Sequence, residues 1–268
     1  MKTFLIRLAV AVVAIPALLW ILHRGDIWLD VVMALFILLG AVEIQQMTTR
    51  IGVNFSPLIL SLLAVLAAII VWPRGGDIWV VWLVLTIVAP ASTAIWRRSP
   101  KDAAAAWAVQ AGGIVWLGVG FGALGALRLI GPTEGFRWLL FLFANLWLGD
   151  TAAYLFGVWL GRRPLAPAIS PKKTVAGAVA QLLISAAIGL VFAWAGWLDA
   201  PPVLVMVAAV VVGAVAQIGD LFESILKRAA GVKDSSAIIP GHGGVLDRFD
   251  STLFAAPTLW ALIHLWPR

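Results

Sequence analysis

Cysteine is absent from the 268 residues, which excludes disulfides, thiolate metal sites and cysteine nucleophiles. Charge is scarce: Asp, Glu, Lys and Arg together make up 12% of the chain, against about 25% in a typical soluble domain. A chain with so little charge lacks the polar surface to live in water. HExxH, GxSxG and Walker patterns are also missing, as are internal repeats and low-complexity segments. Gly120, Gly122 and Gly125 spell GxGxxG. They lie inside an apolar run with no strand–turn–helix around them, so close helix packing explains them better than a dinucleotide fold.

What is abundant is apolar sequence. Hydrophobic residues make up 62% of the chain and the mean hydropathy is +1.02. Apolar runs of about 18 residues or more recur, each long enough to span a bilayer as a helix. The fold class is therefore all-α: a polytopic integral membrane protein with about nine transmembrane helices. The spans read as 3–22, 27–47, 57–72, 78–96, 104–129, 136–160, 175–198, 202–226 and 250–266. Trp20, Trp28, Trp72, Trp79, Trp96, Trp138, Trp197 and Trp266 stand near their ends, as an aromatic belt requires. The first run resembles a secretory signal, with Lys2 and Arg7 ahead of an apolar core. It lacks a small-residue cleavage site before a soluble domain and reads as a retained helix. The whole chain, 1–268, is one membrane domain, with divergent N-terminal helices over 1–135 and chemically loaded helices and loops over 136–268.

Basic residues orient this chain. In a nine-span arrangement 14 of the 19 lie on the N-terminal side, leaving Arg24, Arg74, Arg128, Arg137 and Arg268 opposite. The positive-inside rule then places the N-terminus in the cytoplasm, together with the polar loops before spans seven and nine. The net charge of +6 sits in short loops between spans. Lipid headgroups or a phosphorylated substrate account for it, and nucleic acid is not implied.

Carboxylates at membrane depth cost about 2.5–3.5 kcal/mol each on insertion scales, so each asks for a reason. Glu43 ends the second span and reads equally as a helix-end carboxylate reaching water or as a neighbour of a site. Asp150 lies inside the sixth run, one turn before Tyr154, and reads as a site residue. In AQIGDLFESILKR, Gln217, Asp220, Glu223 or Ser224, and Lys227 recur at three- and four-residue steps. That stripe is the wall of a polar cavity. Asp220 and Lys227 are two turns apart, too far for a simple ion pair.

Further on, IIPGHGGVLDRFD sets Pro240, Gly241, Gly243 and Gly244 around His242, a turn whose backbone can approach a ligand closely. Asp247 and Asp250 follow, with Arg248 between them. Magnesium takes oxygen ligands, commonly one or two carboxylates plus substrate phosphates. Asp220 and Asp247 can supply that pair, with Lys227, Arg228 and Arg248 to neutralise phosphate charge. Upstream, AISPKKTVAG offers Ser170, Lys172, Lys173 and Thr174 just before span seven, where helix-start amides favour an anion. Together these groups point to phosphoryl or nucleotidyl transfer assisted by metal.

The stretch Ser224–Asp250 resembles the signature of the phosphatidate cytidylyltransferases, or CDP-diacylglycerol synthases. S-x-x-K-R, K-D and P-G-H-G-G-x-x-D-R-x-D are all filled over its 27 residues. WLGDTAAYLFGVWLG, LAPAISPKKT and QIGDLFESILKR are similar to further blocks of that family. The likeness is specific over 147–253 and only topological over the N-terminal half. Val175 and Ala176 depart from the acid or aromatic that often follows SPKKT in the family.

The resemblance implies transfer of CMP from CTP to phosphatidic acid, giving CDP-diacylglycerol and pyrophosphate, with Mg2+ and room for a second cation. It implies metal binding by Asp220 and Asp247, and phosphate contacts from Lys173, Lys227, Arg228 and Arg248. Asp150, Ser224, His242 and Asp250 would complete the pocket. The distribution of bases sets the expected site opening on the cytoplasmic face. The small size, short loops and lack of a targeting extension favour a bacterial inner membrane. Membrane lipids and a homodimer are the further partners considered. The competing readings are nucleotidyl transfer to another lipid phosphate, a non-enzymatic anion transporter, and an inactive scaffold.

Overall fold

The computed structural model describes residues 2–97, 99–239 and 241–266, with side chains described from residue 10 onward except at 11 and 74. Arg98, Pro240 and Arg268 lie outside the described residues, as do the side chains of Lys2, Arg7 and Arg74. The described chain is almost entirely helical. Helices α1 (Lys2–Arg24) and α2 (Asp26–Arg50) are followed by α3 (Pro57–Leu66), which runs through a π-helical turn at Ala67–Val71 into the short α4 (Trp72–Arg74). Next come α5 (Ile78–Ala94), α6 (Pro100–Arg128) and α7 (Glu134–Leu160). A hairpin of β1 (Pro164–Ala166) and β2 (Ser170–Thr174) leads into α8 (Val175–Ala195), α9 (Pro202–Ala229), α10 (Leu246–Phe249) and α11 (Thr252–Leu265).

Every expected span falls on helix. Among the described residues five helices, α2, α6, α7, α8 and α9, are long and apolar enough to cross a membrane, and the chain is an all-α membrane protein. Among the remaining helices, α5 has 17 residues and α11 has 14. The third run is interrupted where Pro73 lacks the amide that would bond back to residue 69, inside the widened turn. The hairpin is a departure from the expected loop before span seven. Its strands pair antiparallel, Pro164 opposite Thr174 and Ala166 opposite Ser170.

The chain divides into two compact units, Met1–Ala126 with Leu226–Phe249, and Leu127–Ile225 with Asp250–Arg268. In the first unit, α6 packs closely on α3 and α4. A Cβ on Gly122 would run into the Trp72 indole, and one on Gly118 would meet Ala67 and the Ala64 backbone. This is the small-residue packing the glycine run predicts. Indole and amide donors close backbone acceptors here: Trp82 Nε1 donates to Leu63 O at 2.8 Å, and Gln110 Nε2 donates to Ser56 O at 2.8 Å. The short α10 is pinned to this unit by its apolar side. Leu246 and Phe249 are buried, and the Phe249 ring lies 4.9 Å from Phe36 and 5.5 Å from Phe121.

In the second unit α7 and α8 pack together extensively. A buried polar link crosses this unit. Ser185 Oγ donates to Asn145 Oδ1 at 2.7 Å, and Asn145 Nδ2 donates to Ala209 O at 3.2 Å. Both side chains find partners, as polar atoms in an apolar bundle must. Gly219 of α9 lets α11 approach, because a Cβ there would strike Asp250 O. Phe222 and Phe254 pack beside it at 5.4 Å.

Candidate active site

Among the described residues, four of the charged groups singled out in the sequence pair up, Lys227 with Asp247 in the first unit and Lys173 with Asp220 in the second. In the first unit Lys227, near the end of α9, donates from Nζ to Asp247 Oδ1 at 2.6 Å. Its side chain is 12% exposed and that of Asp247 4%. Asp247 Oδ2 accepts three further bonds, each 2.8 Å, from Ser235 N, Ser235 Oγ and Gly244 N. Burial alone would push this carboxyl up. The Gly244 amide, Lys227, and the Ser235 amide and hydroxyl outweigh it and hold the pKa below the usual carboxylate range.

The backbone of the motif loop explains its glycines. His242 N donates to Ile239 O and Ile239 N to Gly243 O, both at 2.9 Å, closing a tight turn. Gly241 and Gly243 have φ of 74° and 80°, the left-handed region that costs little only for glycine. Gly244 is required for space: a Cβ there would collide with Ser235 Oγ and the Glu43 carboxylate. So the loop presents its amides to the chain's own carboxylates, Asp247 and Glu43. His242 is half-buried in the turn, while Arg248 points outward and is exposed.

Glu43 overturns one of its two readings. It does not reach water. Its side chain is 0% exposed and accepts four hydrogen bonds from the motif loop. Ser236 Oγ and Val245 N donate to Oε1 at 2.8 Å each, and Ser235 Oγ and Leu246 N donate to Oε2 at 2.9 Å each. Ser235 and Ser236 escaped the sequence reading altogether. The only signal for Glu43 was its cost in an apolar helix, and none marked the two serines.

In the second unit Lys173, from β2, donates to Asp220 of α9. These side chains are 28% and 32% exposed. Antiparallel pairing brings Lys173 to the start of α8, where Val175 N donates to Arg163 O at 3.0 Å. Thr174 is the N-cap, its hydroxyl accepting from Gly177 N at 3.1 Å. Ser170 is half-buried, Lys172 exposed, and Ser224 buried in α9. Asp150 is exposed on α7. Asp250 Oδ1 accepts from the next amide, Ser251 N, at 2.6 Å. Arg228 Nη1 donates to Val232 O at 3.2 Å. The expected two-turn separation of Asp220 and Lys227 is resolved by these pairs, since each finds its counter-charge on a different element.

A sequence model of the Cytidylyltransferase family matches residues 5–266. The chain belongs to the Cytidylyltransferase family. Within it, a protein named phosphatidate cytidylyltransferase from Staphylococcus saprophyticus subsp. saprophyticus is 33% identical over 272 residues, covering 96% of this chain and 98% of the relative. Proteins of the same name from Staphylococcus epidermidis and Staphylococcus aureus are 32% and 31% identical, again over 96% of this chain and 98% of their own lengths. The likeness therefore runs beyond the motif-bearing residues into the N-terminal helices of this cytidylyltransferase.

The oxygen chemistry suits a hard cation. Both Asp220 and Asp247 hold a lysine ammonium against a carboxylate oxygen, the kind of position a metal cation also takes. Among the described residues no cluster of three or more His, Cys, Asp or Glu could hold a metal.

Proposed function

We propose that this cytidylyltransferase moves CMP from CTP to phosphatidic acid, releasing pyrophosphate and forming CDP-diacylglycerol. The observation that carries the reading is Asp247, buried with Lys227 inside a glycine turn of the family signature. Its support is the family membership and the names of the relatives. A phosphate oxygen of the lipid attacks the α-phosphorus of CTP. The new P–O bond forms as the bond from the α-phosphorus to the bridging oxygen breaks, and the electron pair leaves with pyrophosphate. The nucleophile is already an anion, so no strong general base is required; the demand is to hold two like-charged substrates together.

In this reading Lys173 and Lys227 exchange their carboxylate partners for phosphate oxygens when substrates arrive. Arg228 and Arg248 add charge for the nucleotide phosphates, and Ser170, Lys172 and Thr174 frame the approach to Lys173. Asp150, Ser224, His242 and Asp250 complete the substrate pocket. Asp220 and Asp247 are the residues that would hold Mg2+, which when bound supplies charge neutralisation for the phosphates. The positive-inside distribution supports a nine-span arrangement with the N-terminus and both polar loops in the cytoplasm of a bacterial inner membrane.

Pyrophosphate release by purified protein in detergent micelles tests the reading. It is expected with CTP, phosphatidic acid and Mg2+, to fail when ATP replaces CTP, and to collapse in Asp220→Asn and Asp247→Asn. Folded protein that releases none with any lipid phosphate overturns it.

A further inference from the structure

We infer that Glu43, through Ser235, is the residue that positions Asp247 and the glycine turn for catalysis. The inference rests on the reaction proposed above. An ionised carboxylate has about four lone-pair positions and donates nothing. Glu43 meets four donors, all from one loop more than 190 positions further along the chain. Two of the four are backbone amides, Val245 N and Leu246 N, one on each carboxylate oxygen.

Those amides immediately precede Asp247, so the clamp holds the backbone from which that carboxylate projects. The link is also direct. Ser235 Oγ lies 2.9 Å from Glu43 Oε2 and 2.8 Å from Asp247 Oδ2, and its single hydroxyl hydrogen serves both oxygens. If Asp247 engages a cation, that hydrogen can pass wholly to Glu43 without breaking the backbone bonds. Full burial removes water as a competing donor, which makes each of these bonds costly to lose. A helix-packing carboxylate would need one or two partners from neighbouring helices. Glu43 takes all four from the motif loop, and Gly244 is a glycine because the Ser235 hydroxyl and the Glu43 carboxylate lie where its Cβ would stand.

Two substitutions separate positioning from mere support. Glu43→Gln keeps the size but turns one oxygen into a donor, and in either orientation it faces a backbone N–H, Val245 or Leu246. Ser235→Ala breaks only the hydroxyl link and leaves those amides bonded. In Glu43→Gln, kcat is expected to fall about 10–100-fold with the KM for phosphatidic acid little changed, as for other residues that orient a ligand from behind. Hydrogen exchange across 243–249 should speed up in the substrate-free protein. Ser235→Ala should lower kcat without altering that exchange, and the double variant should be no worse than Glu43→Gln alone.

Wild-type kcat in either variant, unchanged exchange in folded Glu43→Gln, or additive losses in the double variant would overturn the inference. Should Glu43→Gln fail to fold, Ser235→Ala decides by its kcat. Wild-type protein that releases no pyrophosphate would sink the proposed reaction instead, and the exchange result would still judge the clamp.

Discussion

Asp247 and Asp220 each face a lysine, yet 4% of the Asp247 side chain is exposed and 32% of the Asp220 side chain. Asp247 adds three more donors on its second oxygen and is backed by a buried second carboxylate, Glu43, through Ser235. Asp220 is held by Lys173 on a short hairpin strand. The same residue pair is thus a dry, multiply bonded centre in one unit and a wetter contact with fewer bonds in the other. Burial decides the difference, because a desolvated carboxylate must be fully bonded whereas a wet one can exchange partners with water.

Substitutions break that contrast most sharply at Asp247. Asp247→Ala leaves Lys227 buried without its counter-charge and strands the Ser235 and Gly244 donors. We expect a loss of about 3–5 kcal/mol of stability, read as a fall in the thermal midpoint of detergent-solubilised protein. Acid provides a gentler version of the same experiment. Asp247 titrates below the usual carboxylate range. Its contribution to stability is therefore complete above the unfolded value of about pH 4 and is lost as pH falls through the lower folded value. Thermal midpoints measured downward from about pH 5 should fall with acid in the wild type, and less steeply in Asp247→Asn if that variant folds. The smallest effect on stability belongs to the other unit. Asp220→Ala should cost less than about 1 kcal/mol, the range of a partly exposed ion pair, while pyrophosphate release still collapses. A thermal shift at Asp220 as large as at Asp247 would abolish the distinction.

Much of the architecture was readable from residue patterns. Apolar runs with charged or glycine–proline breaks located the helices, because a helix in lipid needs about 20 apolar residues and its ends need polar groups. The hairpin at Pro164–Thr174 was not readable, since SPKKT carries no strand alternation and is paired only through its partner strand. At the site, the spacing of Asp220 and Lys227 showed that they could not pair, but their real partners come from other elements, Lys173 and Asp247. Glu43 was visible as a costly acid, with nothing to say whether it faced water or protein.

Class, family and chemical inventory follow from residue order without any fold: an all-α membrane chain without thiols, carrying carboxylates and cations in a signature specific enough to name a reaction. Composition and local spacing suffice for that, because hydropathy and motif are local properties. Tertiary structure alone decided which charge answers which, that Glu43 is buried against the motif loop, and that one serine hydroxyl joins two carboxylates. Those contacts join residues up to 203 positions apart, and no local pattern records a hydrogen bond that only the folded chain can close.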